Sequence, residues 1–534
     1  MNGYEKAPRQ NVEGIAREPR VLLIMTGGTI CMRPSADGLV PARNFLETGM
    51  APRPSFNDGS PSITLPAFPE TGEHSILLKS LRTPISRYGQ RVRYAMLEFD
   101  QLLDSSSVDA KGWTQIALTI KKNYSLFDAF VVLHGTDSLA YTSSALSFML
   151  NNLGKTVVLT GSQAPIHELQ TDATDNLLGS LIIAGHFLIP EVCLFFSHNL
   201  YRGNRCTKVS SDQFAAFASP NFPPLATITS SQIHVAWDAI HRPKELEALS
   251  VHTDLHLAHV AALRLFPGIK PEMVDAVLRV PGLRGLILET FGAGNAPSGS
   301  DNALIKVFTD AVQRGIVIVN VTQCLTGSVS PLYAPAMMLG KAGIVPGHDL
   351  TTEAALTKLS YLLALPNISA AEVTRRMLVS LRGELTDSDR VTFRQPRDDA
   401  GAEIHERLGH LSYAIAGGDL SQVTEITNHQ PEWLLNQADY SGNTPMHLAA
   451  TGPNVGISRL LLQKGASVHM RNKAGRTPLF LAANTGSISH VSLLRESGAH
   501  LHPDEAPVAK ALCDQKVDGG HRRCWQVAGV DSAV

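Results

Sequence analysis

Cysteine is scarce in this sequence. Its six residues, Cys31, Cys193, Cys206, Cys324, Cys513 and Cys524, are scattered over 534 positions with no CxxC pair. That spacing argues against a disulfide framework or a thiolate zinc site, and it fits a reducing cytosol. An excess of charge is missing too. The formal net charge is -2, so no global field favours nucleic acid or an anionic membrane as partner. No apolar run approaches the roughly 20 residues that a membrane helix needs. The opening stretch MNGYEKAPRQNVEGIAREPR is polar and lacks the apolar core of a secretory signal, so residues 1–19 read as a disordered tail and the location as cytoplasmic. HExxH is absent and the twenty histidines are dispersed, so neither metal nor cofactor is expected. What remains is ordinary globular composition, 44% hydrophobic and 18% charged, long enough for two to four domains.

From about Val21 to Phe217, short apolar runs alternate with helical patterns. VLLIM, AFVVLHG, TVVLTGS and EVCLFFS each read as a fully buried strand ending in a turn. Continuous apolar strands with helices between them predict a parallel, doubly wound sheet. The clearest intervening helix is SLAYTSSALSFMLNNLG, Ser138 to Gly154, with Gly154 expected as its C-cap. A Pro-rich, irregular stretch follows and reads as a connection. A second α/β pattern then supplies strands in HVAALRLFPG, GLRGLILETFGAGNAP and GIVIVNVTQC, and helices in DNALIKVFTDAVQRG and TTEAALTKLSYLLAL. TDSDRVTFRQPRDDAGAE is polar and charged, a linker by composition.

Beyond it, GNTPMHLAA and GRTPLFLAA recur with Pro445 and Pro478 33 positions apart. That is the ankyrin period, with each Thr-Pro opening a short helix. Such repeats bind proteins and do no chemistry of their own. LSYAIAGGDLSQVTEITNHQP reads as an N-terminal cap repeat and PVAKALCDQKVDGGHRRCWQVAGVDSA as a degraded last one.

Three strand ends carry polar residues able to do chemistry: TGGT at Thr26–Thr29, HGTD with Thr136 and Asp137, and LYRGNRCTK ending at Lys208. In a doubly wound sheet such ends converge on one crevice. A threonine hydroxyl is a weak nucleophile and needs a base, and a lysine beside a carboxylate can serve. Thr136, Lys208 and Asp137 could form that relay, with backbone N–H groups at the Gly-rich turns holding an oxyanion. The implied chemistry is acyl transfer to water. TGGT alone is a weak signal. A phosphate-binding reading has no GxxxxGK[ST] to support it, and GxSxG is absent, which counts against an ordinary α/β-hydrolase elbow.

TGGTI, LHGTDSLAYTSSALSFML, GSQAPIHELQTDATDNLLGSL, LYRGNRCTK, FASPNFPPL, GNAP and LRGEL occur in this order. On these motifs residues 20 to about 385 resemble an L-asparaginase of the bacterial, cytoplasmic type I kind. With ankyrin repeats appended, the whole resembles the animal cytosolic asparaginases, a group also described as 60 kDa lysophospholipases. The resemblance implies two doubly wound α/β domains of the asparaginase fold followed by an all-α ankyrin domain. The expected boundaries are 20–225 and 255–386 for the two domains, 226–254 for their connection, 387–402 for the linker and 403–534 for the repeats.

The resemblance also implies roles. Thr29 falls on the nucleophile, and Thr136, Asp137 and Lys208 on the second catalytic set. Asp104, Ser105 and Ser106 fall on the segment that holds the substrate's α-amino and α-carboxylate groups. Gly135 falls in the substrate turn, and the carbonyl of Ser162 faces the substrate amide. L-asparagine is the implied substrate, turned over through a β-aspartyl ester. A homodimer or homotetramer is the implied assembly, with a protein partner for the repeats. Two departures stand out. The family's loop tyrosine, ten residues past the nucleophile, is Leu39 here, and Tyr333 is the expected replacement. Thr207 and Cys324 match the regulatory asparagine site of bacterial relatives, but Glu289 replaces an arginine there and would repel a carboxylate effector. Two other readings stay open: a lysophospholipase or other acyl-ester hydrolase, and a decayed enzyme kept as an ankyrin scaffold.

Overall fold

Val21–Met25, Ala129–Leu133, Val157–Thr160 and Val192–Phe196 are buried on both faces, as unbroken apolar strands must be when helices cover both sides of a sheet. The computed structural model describes residues 18–36, 38–242, 247–330, 334–386, 400–428, 432–439, 441–515 and 519–530. The first domain holds a ten-stranded sheet. Its strands are β1 (Arg20–Gly27), β2 (Thr64–Ala67), β3 (Ile76–Arg82), β4 (Arg93–Leu103), β5 (Ala129–Leu133), β6 (Val157–Thr160), β7 (Val192–Phe196), β8 (Asn199–Arg202), β9 (Ala226–Ile228) and β10 (Ile233–Val235). Their order across the sheet is β10-β9-β8-β7-β6-β5-β1-β4-β3-β2.

The central five, β4-β1-β5-β6-β7, are parallel. Both edges are antiparallel. The sheet is therefore mixed, parallel only where both faces are apolar. The edge strands are short and half polar and show no long apolar run, and β9 and β10 come from residues expected to form only a connection. From β1 the chain crosses to β4 on one side and to β5 on the other. That reversal opens a crevice at the carboxyl ends of β1, β4 and β5.

Three helices cover this sheet: α1 (Ala110–Asn123), α2 (Leu139–Met149) and α3 (Ala173–His186). The helix expected to run to Gly154 stops at Met149, because Leu150–Asn151 turn extended and pair with Ser250–Val251. The second domain is a four-stranded parallel sheet, β11 (Val260–Arg264), β12 (Gly285–Thr290), β13 (Val317–Thr322) and β14 (Val345–Pro346). Its helices include α4 (Pro271–Leu278), α5 (Ala303–Gln313) and α6 (Thr352–Ala364).

Helix α6 joins the two domains. Small residues of α2, among them Ala140 and Ser144, let α6 come close, and Ser144 Oγ lies 2.6 Å from Thr357 Oγ1. On the other side of α6 the fully buried Lys358 ammonium meets Glu384 of the LRGEL motif at 2.7 Å. Glu384 also accepts the backbone N–H groups of Leu381 and Arg382. Burial alone would raise this carboxyl, but the lysine and these donors hold it below its usual range.

The linker expected at 387–402 lies almost wholly outside the described residues. The repeats supply α7 (Ala400–Ala416), α8 (Leu420–Asn428), α9 (Pro445–Thr451), α10 (Val455–Gln463), α11 (Pro478–Thr485), α12 (Ile488–Glu496), α13 (Ala506–Gln515) and α14 (Gly519–Ala528). Each Thr-Pro opens its helix as expected. Thr477 accepts the Phe480 N–H, and Thr444 and His447 form a capping box. No helix among the described residues is long and apolar enough to cross a membrane.

Removing one partner of a buried pair strands the other charge. Lys358→Met is expected to destabilise the fold by about 3–5 kcal/mol in chemical denaturation. A loss under about 1 kcal/mol would show that the pair is dispensable.

Candidate active site

The strand β1 ends in two glycines, and the second is there because nothing larger fits. Gly28 has φ 89° and ψ 169°, and a Cβ on it would lie 2.4 Å from the Gly135 nitrogen. The turn after β1 thus rests directly on the turn after β5. Gly135 is pressed from its other side as well, since a Cβ there would meet Ser105 Oγ at 2.6 Å. The turns after β1 and β5 therefore meet backbone to backbone, and the Ser105 side chain from the end of β4 packs on the far side of Gly135.

Thr29 opens the 3-10 turn Thr29–Cys31 that follows Gly28. It is half-buried, and among the described residues its hydroxyl makes no hydrogen bond. Thr26 behaves differently: its hydroxyl is buried and donates to the Leu133 carbonyl at 3.0 Å, tying β1 to β5. Burial pushes the Cys31 thiol up to about 11, so it stays protonated at neutral pH.

The second set assembles as the sequence suggested. Lys208 Nζ donates to Thr136 Oγ1 at 2.9 Å and to Asp137 Oδ1 at 2.8 Å. Lys208 is presented by the two-residue strand Thr207–Lys208, which pairs with Phe217–Ala218 of the FASP motif. Asp137 is largely exposed at the crevice, while Thr136 is buried. Beneath them lies His134, which is fully buried and held neutral by that burial. Its Nδ1 lies 2.7 Å from the Gly135 carbonyl, and its Nε2 lies 3.1 Å from Thr142 Oγ1, which accepts Trp113 Nε1–H.

The segment after β4 divides its work. Asp104 is the N-cap of a 3-10 turn, Ser105–Ser107, and accepts the Ser106 N–H at 2.9 Å; hydrogen bonding from the Ser106 side chain and then from this N–H holds its carboxyl below the usual range. Ser105 is buried. Its hydroxyl accepts the Asp137 N–H at 3.1 Å, and its carbonyl accepts the Ser138 hydroxyl at 2.5 Å. Ser162 is buried after β6, with its hydroxyl turned to the Ala164 carbonyl at 2.6 Å. Asp172 accepts the N–H groups of Gln163 and Ala164 and so fixes that loop from the start of α3.

Other expected residues stand apart. Leu39 is 48% exposed and pairs with Pro34 across the ribbon of Met32–Ser35 and Gly38–Pro41. Tyr333 lies outside the described residues. Glu289, at the end of β12, accepts the Thr352 hydroxyl at 3.3 Å. Cys324 is exposed. Thr207 donates to Glu353 Oε1 at 2.7 Å. Glu353 is buried in the first turn of α6, and desolvation, with Glu289 nearby, raises its carboxyl.

Sequence reasoning singled out none of Ser138, His134, Asp172 or Glu353. His134 and Asp172 lie inside quoted motifs, but only the contacts distinguish them from their neighbours. Glu353 sits in a second-domain helix, 145 positions from Lys208, where no local spacing could point to it.

Residues 20–241 match the family model "Asparaginase, N-terminal". Residues 259–377 match "Glutaminase/Asparaginase C-terminal domain", and 411–504 match "Ankyrin repeats (3 copies)". The chain is 40% identical over 464 residues to the 60 kDa lysophospholipase of Mus musculus, covering 84% of this chain and 79% of that one. It is 40% identical over 371 residues to L-asparaginase 1 of Escherichia coli (strain K12), covering 69% of this chain and 98% of that one. The crystal structure of L-asparaginase I from Vibrio cholerae superposes with a TM-score of 0.57 at 36% identity, over 70% of this chain and 100% of that one.

The close stack of turns makes Gly28 the most sensitive backbone position. Gly28→Ala is expected to cost roughly 2–4 kcal/mol of stability, from positive φ and overpacking together. Activity should fall at least about a hundredfold, because sub-ångström loop shifts misplace reacting groups. Thermal unfolding and steady-state kinetics on one preparation check both. A variant with wild-type values would show that the two turns can part freely.

Proposed function

The chain belongs to the asparaginase family, and from that premise we propose that it is an L-asparagine amidohydrolase, releasing L-aspartate and ammonia. The observation that carries this reading is the contact of Lys208 Nζ with both Thr136 and Asp137, at the same crevice that receives Thr29. Thr29 Oγ attacks the side-chain amide carbonyl and gives up its proton. The carbon–nitrogen bond breaks, the nitrogen leaves as ammonia, and a β-aspartyl ester remains on Thr29. Water then attacks the ester, freeing aspartate and restoring the hydroxyl.

In this reading Lys208 and Asp137 orient Thr136 and handle the proton. Asp104, an exposed anion, pairs with the substrate's α-ammonium group. Ser105, Ser106 and Gly135 shape the rest of the amino-acid site, and the Ser162 carbonyl faces the leaving amide. Leu39 cannot relay a proton, and by the family resemblance Tyr333 is the proposed replacement for the loop tyrosine. The scattered cysteines, with no CxxC pair, support a reducing, cytoplasmic setting. A homodimer or homotetramer is the proposed assembly.

A second reading, hydrolysis of lysophospholipid esters, is favoured by the name printed for the mouse relative. Against it stand the polar segment Asp104–Ser106 and the absence of GxSxG. Ammonia release from L-asparagine and fatty-acid release from a lysophosphatidylcholine, measured on one pure preparation, separate the two. Thr29→Ala is expected to lower asparagine turnover at least about a thousandfold with an unchanged circular dichroism spectrum. Near-normal turnover would remove Thr29 from the mechanism.

A further inference from the structure

The ankyrin repeats turn one edge of their loops onto the first domain. His469 follows α10, and His500 and His502 follow α12, the equivalent place one repeat later. Across from them stand Tyr88, His186, Phe187 and Trp237. The His469 ring stacks on Trp237, with centroids 4.9 Å apart and planes 17° apart. Phe187 meets His469 edge-on at 5.6 Å and His500 at 5.3 Å, and Tyr88 meets His500 at 4.9 Å.

Hydrogen bonds cross the junction between described residues. His500 Nε2 lies 2.9 Å from the His186 carbonyl, to which it donates, and the Leu188 N–H donates to His469 Nε2 at 3.4 Å. Both first-domain partners are backbone groups at the C-terminal end of α3, where a helix leaves carbonyls unpaired. The ring row therefore supplies both apolar burial and the polar groups that this helix end lacks. His186, His469 and His500 are all buried by it.

We propose that the ligand of this ankyrin loop row is the chain's own first domain: the repeats act as an intramolecular clasp on the end of α3, and while it is closed the row is not open to a second protein. Aromatic pairs of this kind contribute beyond their area, and the crossing hydrogen bonds set the register.

The same geometry makes the clasp acid-sensitive. His469 Nε2 accepts a hydrogen bond only when unprotonated, and His186 Nδ1 and His469 Nδ1 have no partner among the described residues. The groups facing the row are mostly cationic or neutral. Arg242 faces His469, while Arg495 and His502 face His500, and His186 and His500 face each other. His186 Nε2 lies 2.5 Å from Ser86 Oγ. Arg471, His234 and the exposed Asp504 face His502, whose N–H is accepted by the buried Glu505. Burial lowers His186 to about 3 and His500 to about 4, and lowers His469 as well. An open clasp binds protons near the ordinary histidine value of about 6.5, and the closed one does not. The histidines' contribution to closure is therefore fully present above about pH 6.5 and is lost as the pH falls toward 4, by up to about tenfold per histidine per pH unit.

Small-angle X-ray scattering and amide exchange on the full chain test this. In His469→Ala/His500→Ala at pH 7.5 the radius of gyration should rise. Exchange over residues 186–189 should quicken at least tenfold, while α9 and α11 keep their protection. The wild type should expand in the same way at pH 5. Where the double variant also loses protection in α9 and α11, Phe187→Ser/Trp237→Ala opens the junction from the other side and should give the expansion with the repeats intact. Unchanged scattering and unchanged exchange in the variant with intact repeats, or no expansion of the wild type in acid, overturns the proposal.

Discussion

The site depends on a contact between two peptide backbones. The turn after β1 lies against the turn after β5, with Gly28 over Gly135 and no room for a Cβ at either. Everything chemical hangs from that stack. Thr29 follows directly from one turn, Thr136 and Asp137 from the other, and Ser105 closes the far side. A sheet whose strand order reverses at β1 puts these turns together at the carboxyl ends of neighbouring central strands. The glycines then let the turns approach within backbone contact, so hydroxyls on separate strands share one small crevice.

Support for the crevice comes from beneath and from the second domain. His134 is held neutral by burial and lies within hydrogen-bond distance of the Gly135 carbonyl, with Thr142 and Trp113 behind it. Helix α6 touches the elements next to both halves of the second set: Thr357 meets Ser144 in α2, the helix that follows Thr136 and Asp137, and Glu353 meets Thr207, the neighbour of Lys208. The second domain is thus part of the scaffold that aims Lys208. Thr207 has its hydroxyl engaged by Glu353, and Glu289 accepts the Thr352 hydroxyl and lies 3.7 Å from the Arg264 guanidinium.

Much of this was legible in the residues. Buried parallel strands announce themselves as unbroken apolar runs, and VLLIM, AFVVL, VVLT and VCLFF are all strands of the central sheet. Thr-Pro marks the ankyrin helices because proline suits the first helical turn and threonine caps it. Lys208 was drawn into contact with Thr136 and Asp137 by strand-end logic alone. The antiparallel edges were not legible, since β2, β9 and β10 are short and half polar. The end of α2 was missed because apolar residues at helical spacing run on toward Gly154, while Leu150 and Asn151 are pulled into a strand pair by Ser250 and Val251. Glu353 and the histidine row are long-range contacts, set by packing between domains.

The central claim is that Thr29 carries the acyl group. Rapid acid quench of the full-length enzyme during asparagine turnover, followed by peptide mass spectrometry, tests it directly. The expected result is an aspartyl ester on the peptide containing Thr29, formed and lost at rates matching ammonia release. The same ester on Thr136, or turnover with no ester on either threonine, would contradict it.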